Sequence, residues 1–225
     1  MGTCQLQANI SCLDRPAPTR EKTKSIQPEL RYHQGDMSHQ DASRWDARYL
    51  GEARFASYAE ARSFLVENAS LLPSSSLALD VAMGLGGNAA FLLERGLEVI
   101  GVDISWVALR QAKRRLPRLQ AVLADLNHFH LPPGAFGLIL NFYYLQRDLW
   151  PQFYRALRPG GLLVFETLTR EMLAINPGIE PEYLLAPGEL QRAFSSWDIL
   201  VYREGWAKLN TEHPRAVASL IARRP

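Results

Sequence analysis

With 225 residues, 47% of them hydrophobic, the chain is long enough to bury one sizeable core and too short for two large ones. A formal net charge of +2 and a pI near 8.6 exclude the strong basic footprint of a nucleic-acid binder, and no apolar run approaches the ~20 residues of a membrane span. Cys4 and Cys12 both lie in a polar leader, which excludes a disulfide stapling the folded part and makes a reducing, cytoplasmic setting the expectation.

Residues 1–36 carry Pro16, Pro18 and Pro28 among scattered charges with no helical or strand period, and read as a disordered leader. Met37 opens the folded domain, residues 37–225, in which apolar and aromatic residues recur at helical spacing through "RWDARY". A helix is expected over "YAEARSFLVENASLL", which Pro73 and three serines close. From there strands and helices alternate. "LALDVAM" is the first strand, "GNAAFLLERG" a helix, "LEVIGVD" the second strand, and "SWVALRQAKRRL" a helix N-capped by Ser105. "LQAVLAD" and "FGLILNFYY" follow as the third and fourth strands, "RDLWPQFYRALRPGG" as a helix and "GLLVFETL" as the fifth strand. This alternation predicts βαβ units and a parallel sheet covered on both faces. At the end, "PGELQRAFSS" reads as a helix before two strands, "WDILVYREGWAKL" and "HPRAVASLIARR", with no helix between them; they must pair antiparallel and give the sheet an antiparallel edge.

"LDVAMGLGGN" places three glycines in four positions after a strand that ends in an acid, Asp80. Gly84 and Gly86 allow a tight turn and a close approach of backbone to a ligand, and the helix beyond presents free N–H groups. Gly84, Gly86 and Ala89 satisfy a dinucleotide-type spacing, and a tight connection without any ligand is the bland alternative. Asp103 ends the second strand, 17 residues past Gly86, where a carboxylate accepts hydrogen bonds from both hydroxyls of a ribose. At the third strand's end, Asp125 is set to accept an adenine amine while the N–H of Leu126 meets a ring nitrogen. Asp80 decides between cofactors: its charge repels the pyrophosphate of NAD and attracts a cationic sulfonium amino acid, which favours S-adenosylmethionine.

"LDVAMGLGG", "VIGVDIS", "VLADL" and "LRPGGLLVFET" resemble the successive motifs of class I S-adenosylmethionine-dependent methyltransferases across roughly residues 45–222, and "RWDARY" with the short length resembles the small bacterial type grouped with tellurite-resistance methyltransferases. The resemblance implies a Rossmann-like, doubly wound α/β fold with a seven-stranded, mostly parallel sheet and an antiparallel last strand. It implies that Asp80, Ala82, Gly84 and Gly86 contact the methionyl part, with Ala82 standing where the family usually has Gly. It further implies Asp103 on the ribose, Asp125, Leu126 and Ile104 around the adenine, Asn141 among the cofactor contacts, and Arg48 on the cofactor carboxylate with Tyr49 folded over it. For Trp45 and Tyr49 a core-facing stripe is the plainer reading.

Acceptor chemistry is expected at the ends of strands four and five. Glu166 is the candidate general base or cation-binding group, and Tyr143 and Tyr144 are candidate aromatic walls near the sulfonium. "NFYY" resembles the Asn-Pro-Pro-Tyr motif of amine methyltransferases but lacks both prolines. The proline-rich segment "EMLAINPGIEPEYLLAPGE" reads as a lid or acceptor wall, and its composition points to a small, partly apolar acceptor. A metalloid such as tellurium or selenium is among the acceptor atoms the resemblance admits. The run "RQAKRRLPRL" is the solvated face of an amphipathic helix, and the histidines lack ligand spacing, so neither nucleic acid nor a metal is expected. No membrane partner is expected, and the chain reads as a monomer or homodimer. The competing readings are an NAD-dependent oxidoreductase, which would want a Tyr-x-x-x-Lys pair or a strand-end hydride-relay His, and a catalytically silent cofactor-binding module.

Overall fold

A computed structural model of the chain describes residues 36–51, 59–207 and 214–225. The expected leader, with both cysteines, lies outside them up to residue 35, and Asp36 and Met37 open the first helix, α1 (Asp36–Gly51). Seven strands follow: β1 (Leu77–Val81), β2 (Glu98–Asp103), β3 (Gln120–Leu123), β4 (Phe136–Phe142), β5 (Leu157–Leu168), β6 (Asp198–Trp206) and β7 (Ala216–Arg223). Between them run α2 (Ser63–Glu67), α3 (Gly87–Glu94), α4 (Trp106–Arg115), α5 (Trp150–Ala156) and α6 (Glu189–Ala193). Among the described residues no helix is long and apolar enough to cross a membrane.

The strands form one sheet in the order β3-β2-β1-β4-β5-β7-β6. β4 is buried at all seven of its positions, as a parallel strand covered on both faces must be. Strand alternation divides the core accordingly: Leu79, Val81, Ile139 and Phe165 join one cluster, while Ala78, Leu138, Leu140 and Val164 join the other with Leu92 and Leu109. Because β1 lies between β2 and β4, the winding reverses at β1, and its carboxyl end opens a crevice.

The fold is the doubly wound, mostly parallel α/β sheet that the sequence predicts, its last strand inserted antiparallel as the resemblance implies, with two local differences, in the helix before β1 and at the start of β5. β7 pairs antiparallel with both β5 and β6, so it is inserted second from the edge, and β6 is the edge strand. The helix expected over residues 58–72 is short, α2 plus a 3-10 turn at Ala69–Leu71, with Phe64 and Leu65 buried; Tyr58 lies outside the described residues. β5 starts at Leu157, ahead of Pro159, because a register shift against β4 accommodates the Pro-Gly-Gly stretch as a bulge.

Candidate active site

The carboxyl ends of β1, β2 and β4, together with α1 and the segment before α2, enclose a cavity of about 170 Å³. The glycine turn supplies its floor. Met83 is followed by Gly84 at φ +55° and Gly86 at φ +73°, left-handed values that let the chain reverse and enter α3 at once. Ala82 takes the same region, φ +51°, with a methyl group that costs an L-residue about 1–2 kcal/mol there. Replacing Ala82 with Gly is therefore expected to stabilise the domain by roughly 0.5–1 kcal/mol after glycine's greater unfolded-state freedom is subtracted, a rise of a few degrees in a thermal melt. No rise would mean that Ala82 is unstrained.

The acid ending β2 is held rigidly. Gly84 N–H donates to Asp103 Oδ2 at 2.7 Å and Ser105 N–H to Oδ1 at 2.8 Å, leaving further lone pairs on both oxygens for a ligand. Burial pushes the Asp103 carboxyl up to about 6 against the pull of those N–H groups. Asp80, one residue short of the end of β1, is more extreme. Burial, and then the charge of Asp103, push it up to about 7. Among the described residues, Asp80 Oδ2 and Asp125 Oδ2 are buried without a hydrogen-bond partner, whereas Asp125 Oδ1 accepts from the backbone and side chain of Asn127, each at 2.9 Å. A buried, unpaired carboxylate oxygen is costly, and both of these residues line the cavity.

Residues 78–161 match the family described as a methyltransferase domain. Malonyl-[acyl-carrier protein] O-methyltransferase of Enterobacter lignolyticus is 33% identical over 100 residues, covering 42% of this chain and 40% of that protein. Trans-aconitate 2-methyltransferase of Azoarcus sp. is 33% identical over 102 residues, with 42% and 40% covered. The chain thus spans about two fifths of the length of the curated relatives it matches. In fold it is similar to the crystal structure of TehB from Haemophilus influenzae, at a TM-score of 0.60 and 16% identity over 80% of this chain and 67% of that one. Residues 78–161 are thus similar to a methyltransferase domain, and the sheet around them has the fold of S-adenosylmethionine-dependent methyltransferases of known structure.

S-adenosylmethionine is the cofactor of such a methyltransferase domain, and the side chains present fit it. The two orphaned oxygens want hydrogen-bond donors, which the cofactor has in its ammonium and its adenine amine, and the remaining lone pairs of Asp103 suit a diol. Ala82, Gly84, Ile104 and Leu126 line the same cavity. Gly86 lies just beneath as the left-handed N-cap of α3, packed on Ala112 and Leu116. Asn141, expected among the cofactor contacts, is buried and does not line the cavity; its Nδ2 donates to the Tyr144 carbonyl at 2.7 Å, so it shapes the loop after β4.

Two expected roles change place in this site. Arg48 does not line the cavity; its guanidinium lies 4.9 Å from the centre of the Trp45 ring. The arginine that does line it is Arg62, whose backbone N–H donates to Asn88 Oδ1 at 2.9 Å and whose guanidinium lies over the Tyr143 ring. Glu166 is likewise absent from the lining. It stands behind Tyr143, accepting from the Tyr143 hydroxyl at 3.0 Å and from Ser219 Oγ at 2.8 Å, and burial raises its carboxyl above the usual range. Tyr143 and Tyr144 both reach the cavity as expected, and burial pushes the Tyr143 hydroxyl up to about 12.

α1 closes the cavity from above. Asp46 Oδ1 accepts from Ser105 Oγ at 2.5 Å and from Val107 N–H at 3.0 Å, joining Ser105, whose Oγ accepts from Ala108 N–H, in capping α4. That anchor brings Trp45 and Tyr49, stacked with centroids 5.9 Å apart, onto the cavity. The expected lid at 171–189 does not line it; Leu184 and Leu185 are buried, and Arg147 holds the segment by a bidentate pair to Glu189 and bonds to the carbonyls of Glu182 and Leu184. Asp46, Arg62 and Ser219 escape sequence reasoning because their partners are distant in the chain. Only the Ser105 cap hints at Asp46.

Proposed function

We propose that this domain transfers the methyl group of S-adenosylmethionine to a small-molecule acceptor bound beside Tyr143 and Tyr144. The observation that carries this reading is the pair of buried, unpartnered carboxylate oxygens, Asp80 Oδ2 and Asp125 Oδ2, on one cavity floored by a glycine turn. When bound, the cofactor supplies a methyl group made electrophilic by its sulfonium. Asp80 accepts from the cofactor ammonium, and Gly87 and Asn88, at the start of α3, present N–H groups to its carboxylate. Asp103 accepts from the ribose hydroxyls, Asp125 from the adenine amine, and Ile104 and Leu126 cover the ring. Three carboxylates around this end repel a pyrophosphate, which argues against NAD.

What remains for the protein is alignment and exclusion of water. Trp45, Tyr49, Phe142, Tyr143 and Tyr144 give the acceptor end an aromatic wall suited to a small, partly apolar molecule. The names of the two relatives reported above both specify organic acids, malonyl and aconitate, whereas the resemblance to the tellurite-resistance group adds a metalloid oxyanion. Release of S-adenosylhomocysteine, measured with organic acids, quinols, amines, selenite and tellurite as acceptors, tests the reading. Acceptor-dependent release at a rate lowered by Tyr143→Phe or Tyr144→Phe is expected. Tight cofactor binding without turnover of any acceptor class would leave a silent binding module instead.

A further inference from the structure

Of the side chains lining the cavity, Asp41, Glu60, Asp80, Asp103 and Asp125 are acids and Arg62 is a cation. At the end of β4 a second cation, Arg215, joins Arg62 on one ring of that lining without itself lining the cavity: the guanidinium carbons of Arg62 and Arg215 lie 4.8 Å and 4.9 Å from the centre of Tyr143. The fold brings them from opposite ends of the domain, Arg62 from the N-cap of α2 and Arg215 from the residue before β7. A cation over an aromatic face is favourable. Two within 5 Å of one ring centre are within about 10 Å of each other, where like charges repel by roughly 1–2 kcal/mol at an effective dielectric near 20, and the Glu166 carboxyl, which feels the charge of both, offsets part of that.

Tyr143 is itself held in an unusual pose. Its φ of +55° is a left-handed value that a bulky side chain adopts only when its surroundings require it. Those surroundings are the Tyr143 N–H, which donates to the Glu166 carbonyl at 2.8 Å, and the hydroxyl, which donates to Glu166 Oε1. Ser219 Oγ closes the far side of the same carboxyl. The result is a tyrosine fixed at the cavity wall beside two guanidinium groups, of which that of Arg62 belongs to a lining residue, with its acid behind it.

We propose that the acceptor is an organic carboxylate, drawn by its negative charge to the Arg62–Tyr143–Arg215 group and methylated on oxygen. This rests on the methyltransferase reading above and specifies the acceptor end of the same cavity. A carboxylate oxygen attacks without losing a proton, so no base is required; that agrees with a tyrosine whose hydroxyl stays protonated at neutral pH and a Glu166 that does not reach the cavity. The new oxygen–carbon bond forms as the carbon–sulfur bond breaks, with its electron pair going to sulfur. An anion and a sulfonium become a neutral ester and S-adenosylhomocysteine, and the charge that held the acceptor is gone from the product.

The test starts with binding. The protein saturated with S-adenosylhomocysteine is titrated calorimetrically with a broad carboxylate panel and the matching amides, and turnover is then followed with methyl-labelled S-adenosylmethionine. Methyl esters are read as label released as methanol by alkali. The expected result is that acids bind and amides do not, that the label is alkali-labile, and that Arg215→Gln weakens acid binding tenfold or more while cofactor affinity stays within twofold. Arg215→Lys, which keeps the charge, recovers part of the loss. Amides binding as well as acids, label confined to amines, quinols or metalloid oxyanions, no ester from any acid while cofactor binds, or acid binding unchanged in Arg215→Gln would each overturn it. Failure of the wild type to bind S-adenosylmethionine would instead overturn the methyltransferase reading, and this proposal with it.

Discussion

Replacing Asp80 with Asn is expected to weaken S-adenosylmethionine binding by about 10- to 100-fold, the loss of one charge-assisted hydrogen bond, while leaving the empty domain at least as stable above pH 7. The second half follows from the first. Asp80 is 1% exposed, its Oδ2 has no partner among the described residues, and its carboxyl is pushed from an ordinary 3.8 up to about 7. A folded-state value above the unfolded one means that the stability Asp80 contributes is fully present below about pH 4 and is lost as pH rises through 7. The loss is of the order of 4 kcal/mol at 1.36 kcal/mol per unit, against about 1–3 kcal/mol for burying an unmatched amide donor in the variant. Melts of the cofactor-free proteins from pH 4 to 8 check this: the wild type falls relative to the variant as pH rises. A cationic ligand reverses the sign, because it favours the ionised carboxylate. Wild-type affinity for S-adenosylmethionine therefore drops as pH falls below about 7, with proton release on binding, and the Asn variant shows a shallower dependence. Wild-type affinity flat from pH 5.5 to 8 would contradict a role for Asp80 at the ligand.

Gly87→Ala carries the largest expected effect outside the acids. A Cβ there would lie 2.2 Å from the Glu60 carbonyl oxygen, 2.5 Å from its carbon and 2.7 Å from its nitrogen, so it meets backbone, which cannot rotate aside. The segment carrying Glu60 and Arg62 has to lift off α3, losing the bond from Arg62 N–H to Asn88. Overpacking of this kind costs about 1–3 kcal/mol, a fall of roughly 2–10 °C in melting temperature for a domain of this size. It also withdraws Arg62 from the cavity, so the variant is expected to lose cofactor and acceptor binding more than its stability alone explains. Gly51→Ala, with open space around the added methyl, is the control and should leave both unchanged. A Gly87→Ala protein with wild-type melting and binding would show that 59–62 is not seated on α3.

The sheet was legible because its signals are local. β1, β2 and β4 are short apolar runs with a polar residue at or next to their last position, and Ser105 is a cap whose partner, the Ala108 N–H, is three residues away. Placing β7 between β5 and β6 is different: antiparallel pairing of the last two strands follows from their short connection, but which of them faces β5 is a matter of packing. The acids Asp80, Asp103 and Asp125 were legible for the same local reason, each sitting within two residues of a strand end. The acceptor side was not. Strand alternation puts Phe142 and Tyr144 on one face, yet the left-handed φ at Tyr143 breaks the alternation and aims it at the cavity, with Glu166 left behind it. Arg48 was the natural cation in "RWDARY", but a one-position difference on a helix turns it onto Trp45 while Tyr49 faces the glycine turn.

Calorimetric titration of the protein with S-adenosylmethionine, S-adenosylhomocysteine and NAD, alongside Asp103→Ala, tests the central claim most directly. The account predicts saturable, one-site binding of both adenosyl ligands, lost in the variant, and no heat from NAD. Binding of NAD in preference to S-adenosylmethionine, or adenosyl binding that survives loss of Asp103, would contradict it.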